Sequence, residues 1–420
     1  MQLGWIDFSK EERKRVLDVL SLLEPRGTLD ELGIAQIRDG FSDLFFPGSS
    51  TIQTRAKYFF LVPYAFRKVE ETGETNPRKF QKAVTEIEKQ CAIQLLENNP
   101  GELGIIGEVT LKSTDYKGWV KRSPSEIYWA GLRKYNLFCF RSSISISQYI
   151  HLYCKNLKDR ESVSSLGNSK DNPEEFTSDD GFSGVRKTIF WNVPRCDFSK
   201  NKWIDEIDIN LTKEEAAFLK RQIINQCPNS LYSIILEKYQ KRFRKCESFE
   251  DLEYIINDSK FPNKEIRKQF ELAKKFSEFN YLLRVVYNKI IFEDKYEFAN
   301  EEYKKCMAEI KRISDLNIEE LVEVFSENEI SLKEDLITFL INSKNAMLIE
   351  NPEKREEQLK QLIIEREKTL KGEKRAKTCN PGKFIIPDRN ILIGGDYLDY
   401  RFSSTVKTII TDIIEGVKNA

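Results

Sequence analysis

The chain has 420 residues, a length that favours two or three domains. Its 67 basic and 67 acidic residues give a net charge of zero, which excludes a generally polycationic nucleic-acid binder but not a local basic face. None of the eight cysteines falls in a C-x-x-C pair, so we expect reduced thiols and neither a clustered thiolate zinc site nor a disulfide framework.

The ends and apolar runs of the sequence point to a soluble protein. The N-terminal stretch "MQLGWIDFSKEERKR" lacks the basic-then-apolar order of a signal peptide. The longest apolar run, residues 58–66, is far shorter than the roughly 20 residues that a membrane span needs. We therefore expect a cytoplasmic protein with no membrane partner, and the sequence indicates neither a cofactor nor a bound metal.

Residues 1–157 are predicted to form one mostly helical domain. Capping boxes and apolar residues at helical spacing mark the helices. Pro47 and Gly48 end the second helix, and Pro63 is expected to kink or split the third. The predicted helices begin near residues 9, 28, 51, 77 and 124.

The rest of the chain is predicted as a linker and a second domain. Residues 158–187 are expected to form an acidic mobile linker, because large apolar residues are few there and the net charge of 158–185 is −4. Residues 188–420 are predicted to be mainly helical. The predicted fold class is therefore mainly α: an N-terminal helix-turn-helix-like domain and a larger helical C-terminal domain with a few short strands. Those strands are expected within residues 101–111, 188–196 and 203–212.

The stretch "LFFPGSSTIQTRAKYFF", residues 44–60, has the outline of a helix-turn-helix unit. A helix over 29–46 would support a reader helix over 51–62. A reader helix presents its N-terminal residues to base edges, where Gln pairs with adenine and Arg with guanine. Here those residues would be Ser50, Thr51, Gln53, Thr54 and Arg55, which are of suitable types. The alternative is an ordinary helical hairpin whose polar residues face water.

A second candidate is residues 117–141, which interleave basic and aromatic residues and carry a net charge of +5. This pattern suits a phosphate backbone with base stacking. The alternative is a core helix whose aromatic residues are buried and whose last basic residues complement its dipole. The two candidates together predict a nucleic-acid-binding set: Gln53, Arg55, Lys57, Lys121, Arg122, Arg133 and Lys134.

Catalytic motifs are not recognised in the sequence. His151 is followed by lysine in the spacing H-x-x-x-K and not in the H-x-K-x4-D of a phospholipase-D-type nuclease. Asp205, Glu206 and Asp208 are the only acidic group on a predicted strand, and no E-x-K follows on a second one. We therefore favour a non-enzymatic protein and predict no catalytic residues.

Two sequence blocks resemble an uncharacterised family of prokaryotic proteins of about this length. They are "GWIDFS", residues 4–9, and "DELGIAQIRDGFSDLFFPGSSTIQTRAKYF", residues 30–59. The family resembles the chain also in an "SPSEIYWAGLR"-like helix and, weakly, in "YLDYRF", residues 397–402. Genes of this family tend to lie among antiviral defence genes, near helicases and phospholipase-D-like nucleases. The resemblance therefore implies an accessory component of antiviral defence and supplies no catalytic residues.

These observations predict a non-enzymatic DNA-binding or adaptor component of a prokaryotic antiviral defence complex. Double-stranded DNA and a helicase or nuclease subunit are the expected partners. One alternative is a protein-assembly subunit without DNA contact, in which the block "FPGSSTIQTRAKYF" packs a core. A divergent metal-dependent nuclease is the other alternative.

Overall fold

The computed structural model describes residues 30–140, 143–166, 190–196 and 202–418, and this part of the chain is mainly helical, as predicted. The predicted helix that starts near Ser9 lies outside the described residues. Among the described helices, none combines the length and the apolar character needed to cross a bilayer.

The α-helices are α1 (Ala35–Phe45), α2 (Tyr58–Glu71), α3 (Pro77–Asn98), α4 (Glu108–Ser113), α5 (Pro124–Lys134), α6 (Ile146–Leu166), α7 (Lys202–Asp205), α8 (Lys213–Gln226), α9 (Leu231–Ile234), α10 (Gln240–Phe243) and α11 (Glu253–Ile256). They continue with α12 (Lys264–Ile291), α13 (Glu297–Ala308), α14 (Ile310–Ile313), α15 (Ile318–Glu327), α16 (Glu334–Met347), α17 (Pro352–Lys371) and α18 (Lys407–Lys418). Short π-helical segments span Ile235–Tyr239 and Phe402–Val406, and a 3-10 turn spans Glu250–Leu252.

The predicted short strands do not form in the described residues. Pairing of the β type there is limited to one antiparallel bridge between Phe138 and Trp191. Residues 101–111 turn at glycines with positive φ and enter α4. Residues 203–212 begin in α7. The side-chain nitrogen of Asn98 donates to two carbonyl groups of this segment, which in a sheet would bind a neighbouring strand.

The chain forms two compact units, each built from two segments. Unit 1 contains residues 1–41 and 267–398, and unit 2 contains residues 42–266 and 399–420. The predicted linker at 158–187 begins inside α6, which runs to Leu166, and its remainder lies outside the described residues.

The core of unit 2 forms around α2. Every residue from Tyr58 to Phe66 is buried, including Pro63, and the helix continues through this proline. α2 packs against α3 and α5, and the ring centroids of Phe59 and Tyr128 lie 4.9 Å apart in a T-shaped contact. The C-terminal helix α18 packs against α8 in the same unit.

The core of unit 1 forms around α12. The ring of Phe41 meets that of Phe325 edge-on, with 4.9 Å between centroids, and also contacts Phe276 of α12. α16 packs against α15 and α17. Asn351 caps α17 and Gly372 ends it with a positive φ, as the sequence predicts.

The predicted reader helix over 51–62 is wrong in its start. α1 ends at Phe45 and α2 begins at Tyr58, so residues 46–57 form a long irregular connection and not the short turn of a helix-turn-helix. The N–H groups of Thr54 and Arg55 donate to the Tyr128 hydroxyl, at 2.8 and 3.1 Å. Because these donors are bound to a side chain on α5, the helix begins only after them.

Candidate functional site

Arg55, the predicted guanine reader, lies at the centre of a buried polar network in unit 2. Its Nε donates to both carboxylate oxygens of Asp412, at 3.0 and 3.1 Å. Its Nη1 pairs with Glu102 at 3.1 Å, and its Nη2 donates to the Asn210 side chain at 3.1 Å. The Asp412 carboxylate also accepts the N–H of Ala56 at 2.8 Å. The guanidinium group is therefore occupied by partners within the fold.

Electrostatics and burial compete at this ion pair. Burial disfavours the charge of Arg55, but Asp412 and Glu102 outweigh it and raise the pKa of the guanidinium group. Burial raises the pKa of Asp412, while Arg55 and the N–H of Ala56 act in the opposite direction. Both side chains are at most one-tenth exposed, so solvent screens their attraction weakly.

Lys57 is also buried, and it binds the first turn of α8. Its Nζ donates to both oxygens of Glu215, at 2.8 and 3.1 Å. Glu215 forms a capping box with Thr212, because each side chain binds the other's backbone N–H, at 2.9 and 3.2 Å. Lys57 therefore connects the start of α2 to the start of α8.

Gln53 holds the turn after α1 and is 1% exposed. Its Nε2 donates to the carbonyl of Gly48 at 3.2 Å, and its Oε1 accepts the N–H of Ser50 at 3.2 Å. Thr405 closes the turn from the other side by donating to the carbonyls of Ser50 and Gln53. The three members of the predicted binding set in this segment are thus core residues.

The same segment fixes the loop that precedes α4. Thr54 Oγ1 donates to the carbonyl of Gly104 at 2.7 Å, and Arg55 Nη1 donates to the carbonyl of Leu103 at 3.3 Å. Gly104 has a φ of +88°, and a Cβ there would lie 3.0 Å from Arg55 Cγ. Glycine is therefore required for both the backbone conformation and the close approach.

Two aliphatic side chains project from this fixed loop and from α4. Leu103 is 80% exposed and Val109 is 81% exposed. Ile106, between them, is buried and donates its N–H to the Tyr58 hydroxyl at 2.8 Å. We call Leu103 and Val109 the α4 surface.

The remaining predicted binding residues lie at the two ends of α5. Lys121 and Arg122 are exposed before its N-cap, and Arg133 and Lys134 close the helix, with Arg133 partly buried and Lys134 exposed. Across the described residues, these four side chains form no ion pair within 4 Å. Because α5 has 11 residues and rises about 16 Å, the two basic pairs lie far apart.

α5 itself forms for the reasons read from the sequence. Ser123 accepts the N–H of Glu126, and Glu126 returns a bond to the N–H of Ser123 at 3.0 Å, so the capping box is confirmed. The Tyr128 hydroxyl, buried on the inner face, accepts from the 54–55 backbone and donates to the carbonyl of Arg55 at 2.8 Å. The aromatic side chains of this helix therefore pack the core.

Asp412 and Glu215 were not identified from the sequence. Each lies far along the chain from its partner, 357 residues from Arg55 and 158 from Lys57. An available signal was Asp412 on the apolar face of the predicted last helix, because a carboxylate on a core face needs a cationic partner.

The acidic group that was considered for nuclease chemistry does not lie on a strand. Asp205 lies at the end of α7, and Glu206 and Asp208 follow in the connection to α8. His151 is exposed, and its Nδ1 lies 2.8 Å from the Ser147 carbonyl of its own helix. Within the described ranges, no group of three or more His, Cys, Asp or Glu side chains has a metal-binding arrangement.

Comparison with protein families gives a match over part of the chain. Residues 1–183 match DUF6361, a family of unknown function. This range includes residues 46–57, α4 and α5. No curated protein and no solved structure matches the chain.

Proposed function

We propose that this chain is a non-catalytic adaptor that binds a protein partner through the α4 surface. The observation that carries the proposal is the near-complete exposure of Leu103 and Val109, two aliphatic residues six positions apart. Large aliphatic side chains that stay exposed at neighbouring positions in the chain are of the kind that protein interaction sites use. The link to a prokaryotic antiviral defence complex comes from the sequence resemblance, and a helicase or nuclease subunit is the proposed partner.

The buried network supports this proposal by explaining why the loop has a fixed shape. Arg55 and Thr54 bind the backbone carbonyls of Leu103 and Gly104, so Leu103 is presented without a large loss of backbone freedom on binding. Glu102 is half exposed although it pairs with Arg55. The sequence block at residues 30–59 then has an indirect role in binding, because it positions the α4 surface and does not itself contact the partner.

Pairwise co-expression tests the adaptor directly. The tagged chain is produced with each product of the genes flanking its own, and co-purification is measured at 150 mM and 500 mM salt. Because salt screens charges and not apolar contacts, the parent chain is expected to co-purify the partner at both salt concentrations. Leu103→Ser combined with Val109→Ser is expected to abolish co-purification at both, because the apolar side chains are removed. A matched control is Ile341→Ser with Leu348→Ser, two exposed aliphatic residues of unit 1.

The control pair is expected to co-purify the partner as the parent chain does. Both double variants are expected to keep the parent circular dichroism spectrum, since exposed side chains contribute little to folding. Retention of the partner by the Leu103 and Val109 variant, or equal loss in both variants, would refute the α4 surface as the binding site.

A second candidate function is contact with DNA through the ends of α5. The exposure of Lys121, Arg122 and Lys134, with no ion pair in the described residues, favours it. Removing one phosphate-binding side chain should change the slope of log affinity against log salt by about 0.9 on duplex DNA. Replacing Lys121, Arg122, Arg133 and Lys134 by Ala is therefore expected to reduce the slope by up to about 3.6.

The matched control removes the same charge from unit 1. Lys304, Lys311, Lys354 and Lys374 are exposed, and their replacement by Ala should leave the salt slope unchanged. Absence of binding by the parent chain to duplex DNA at low salt would exclude this second function and leave the protein adaptor.

A further inference from the structure

Unit 1 contains a small cavity, lined by both polar and apolar residues, between the start of α1 and the middle of α12. Its volume is about 40 Å³, and its lining includes Arg38, Asn280, Arg284 and Tyr287. A water molecule needs roughly 10–15 Å³ of such space, so the cavity holds a group of about three non-hydrogen atoms. The site does not depend on the α4 surface, which lies in unit 2.

Asn280 is the feature that calls for a ligand. Its side chain is fully buried, and neither its amide nitrogen nor its amide oxygen has a hydrogen-bond partner among the described residues. Leaving a buried polar group unpaired is unfavourable, so such groups usually mark a bound water, an ion or a functional site. By contrast, Asn288, two turns later on α12, uses both amide atoms to hold the backbone of Ile393.

Two arginines line the cavity and can donate hydrogen bonds to an anionic group. Arg284 lines it and donates through Nη1 to the carbonyls of Gly394 and Asp396. Arg38, which also lines the cavity, pairs with Asp39 at 3.1 Å. Burial first, and the charge of Arg38 second, lower the pKa of Arg284 to about 10. An anionic group bound beside Arg284 would favour its charged form and so oppose both effects.

We propose that this cavity binds a carboxylate group, with Arg284 as its ion partner and Asn280 as the residue that orients it. The Asn280 amide donates to one carboxylate oxygen, and the guanidinium group donates to the other. The amide oxygen then remains available for a donor next to the carboxylate, such as a hydroxyl or amide N–H. The ligand is either a small free carboxylate or the carboxylate end of a peptide.

Size and charge both favour a carboxylate over a phosphate. The carboxylate has three non-hydrogen atoms, which matches the volume, and a phosphate group has five. Asp30 and Glu31 also line the cavity and offset the charges of the two arginines. Both Asp30 oxygens accept N–H groups at the start of α1, at 2.8 and 2.7 Å, so this carboxylate is fixed in place. A singly charged ligand is therefore better accommodated than a dianion.

Isothermal titration of the full chain tests the site. The probes are acetate for a free carboxylate, N-acetylglycine for a peptide end, acetamide as the uncharged analogue and inorganic phosphate, all at one ionic strength. Acetate or N-acetylglycine is expected to bind. Tighter binding of acetate would indicate a small free carboxylate as the ligand, and tighter binding of N-acetylglycine would indicate the carboxylate end of a peptide. Acetamide and phosphate are expected to bind at least about tenfold more weakly, given the strength of charge-assisted hydrogen bonds.

Two variants connect binding to the proposed residues. Arg284→Met is expected to abolish carboxylate binding, and Asn280→Leu to weaken it about tenfold or more. Lys275→Met, on the exposed side of the same helix, is the matched control and should bind as the parent chain does. Without ligand, Asn280→Leu should melt no lower than the parent chain, because it removes an unpaired amide at nearly constant volume.

The melting temperature separates a binding role from a structural one. A lower melting temperature of Asn280→Leu together with unchanged acetate binding would show that the amide serves the fold, and would overturn the proposal. Absence of heat with both carboxylates, or phosphate binding that exceeds theirs, would overturn it as well.

Discussion

Replacing Arg55 by Met tests whether this residue stabilises the fold or forms part of a binding surface. The substitution keeps most of the side-chain length and removes the charge. Asp412, at 7% side-chain exposure, would then remain in the core with its backbone bond from Ala56 but without its cation. The matched control is Arg133→Met, at a partly exposed arginine of the same unit.

The expected loss follows from the burial of the pair. Removing one partner of a buried ion pair costs about 3–5 kcal/mol, because the other charge stays desolvated. Loss of the Arg55–Glu102 contact adds little to this destabilisation, because Glu102 is half exposed and water screens the ion pair. Arg133→Met should stay within about 0.5 kcal/mol of the parent chain, as surface substitutions usually do.

Urea unfolding followed by tryptophan fluorescence measures both variants. Trp119, Trp129, Trp191 and Trp203 all lie in unit 2, so the signal reports mainly the unit that holds Arg55. The Arg55→Met transition should shift to lower urea with an unchanged slope, which indicates reduced stability and not altered compactness.

A double variant checks the cause of the loss. Combining Arg55→Met with Asp412→Leu removes the carboxylate that Arg55→Met alone leaves without its cation. The double variant should be more stable, by about 1 kcal/mol or more, than the sum of the two single effects predicts. Coupling energies of about 0.5–3 kcal/mol are typical of contacting residues. Equal stability of Arg55→Met and Arg133→Met would refute a structural role for the motif and return Arg55 to the binding surface.

Three further predictions concern unit 2. Gly131→Ala, normally favourable within a helix, should destabilise by about 1–3 kcal/mol in urea titrations, because the new Cβ would lie 2.7 Å from the Gly48 carbonyl oxygen. Lys57→Met should lower the urea midpoint more than Lys134→Met, because Glu215 would be left buried. Burial raises the pKa of Glu88 from 4.5 to about 8, so the folded state holds this proton more tightly than the unfolded state. Stability should therefore fall as pH rises from 4.5 to 8, and Glu88→Gln should flatten this part of the profile.

The local rules of helix formation were readable from the sequence. Ser123 with Glu126, and Asn351 with Pro352, open helices where predicted, because these signals act within four residues. The helix predicted from Pro77 to Leu96 is α3, which ends at Asn98. The mainly helical fold class could be predicted from such signals, because each helix start depends on residues close to it in the chain.

The start of α2 could not be predicted because distant residues decide it. The polar run from Ser50 to Lys57 reads as the first turns of a helix, but its N–H groups bind Tyr128 and Asp412. The burial of the cations in this segment could not be predicted either, because Arg and Lys are expected at the surface unless a buried partner is known. The exposed Leu103 shows the converse case, in which an aliphatic residue stays in solvent.

Photocrosslinking from the α4 surface tests the adaptor function most directly. A photoreactive benzophenone amino acid is introduced at Leu103 in cells that carry the flanking genes, and at Leu348, an exposed leucine of unit 1, as a control. The adaptor model predicts one adduct of defined mass from Leu103, containing a flanking-gene product and reduced by Val109→Ser, and none from Leu348. The same adducts from both positions, or none from Leu103, would contradict it.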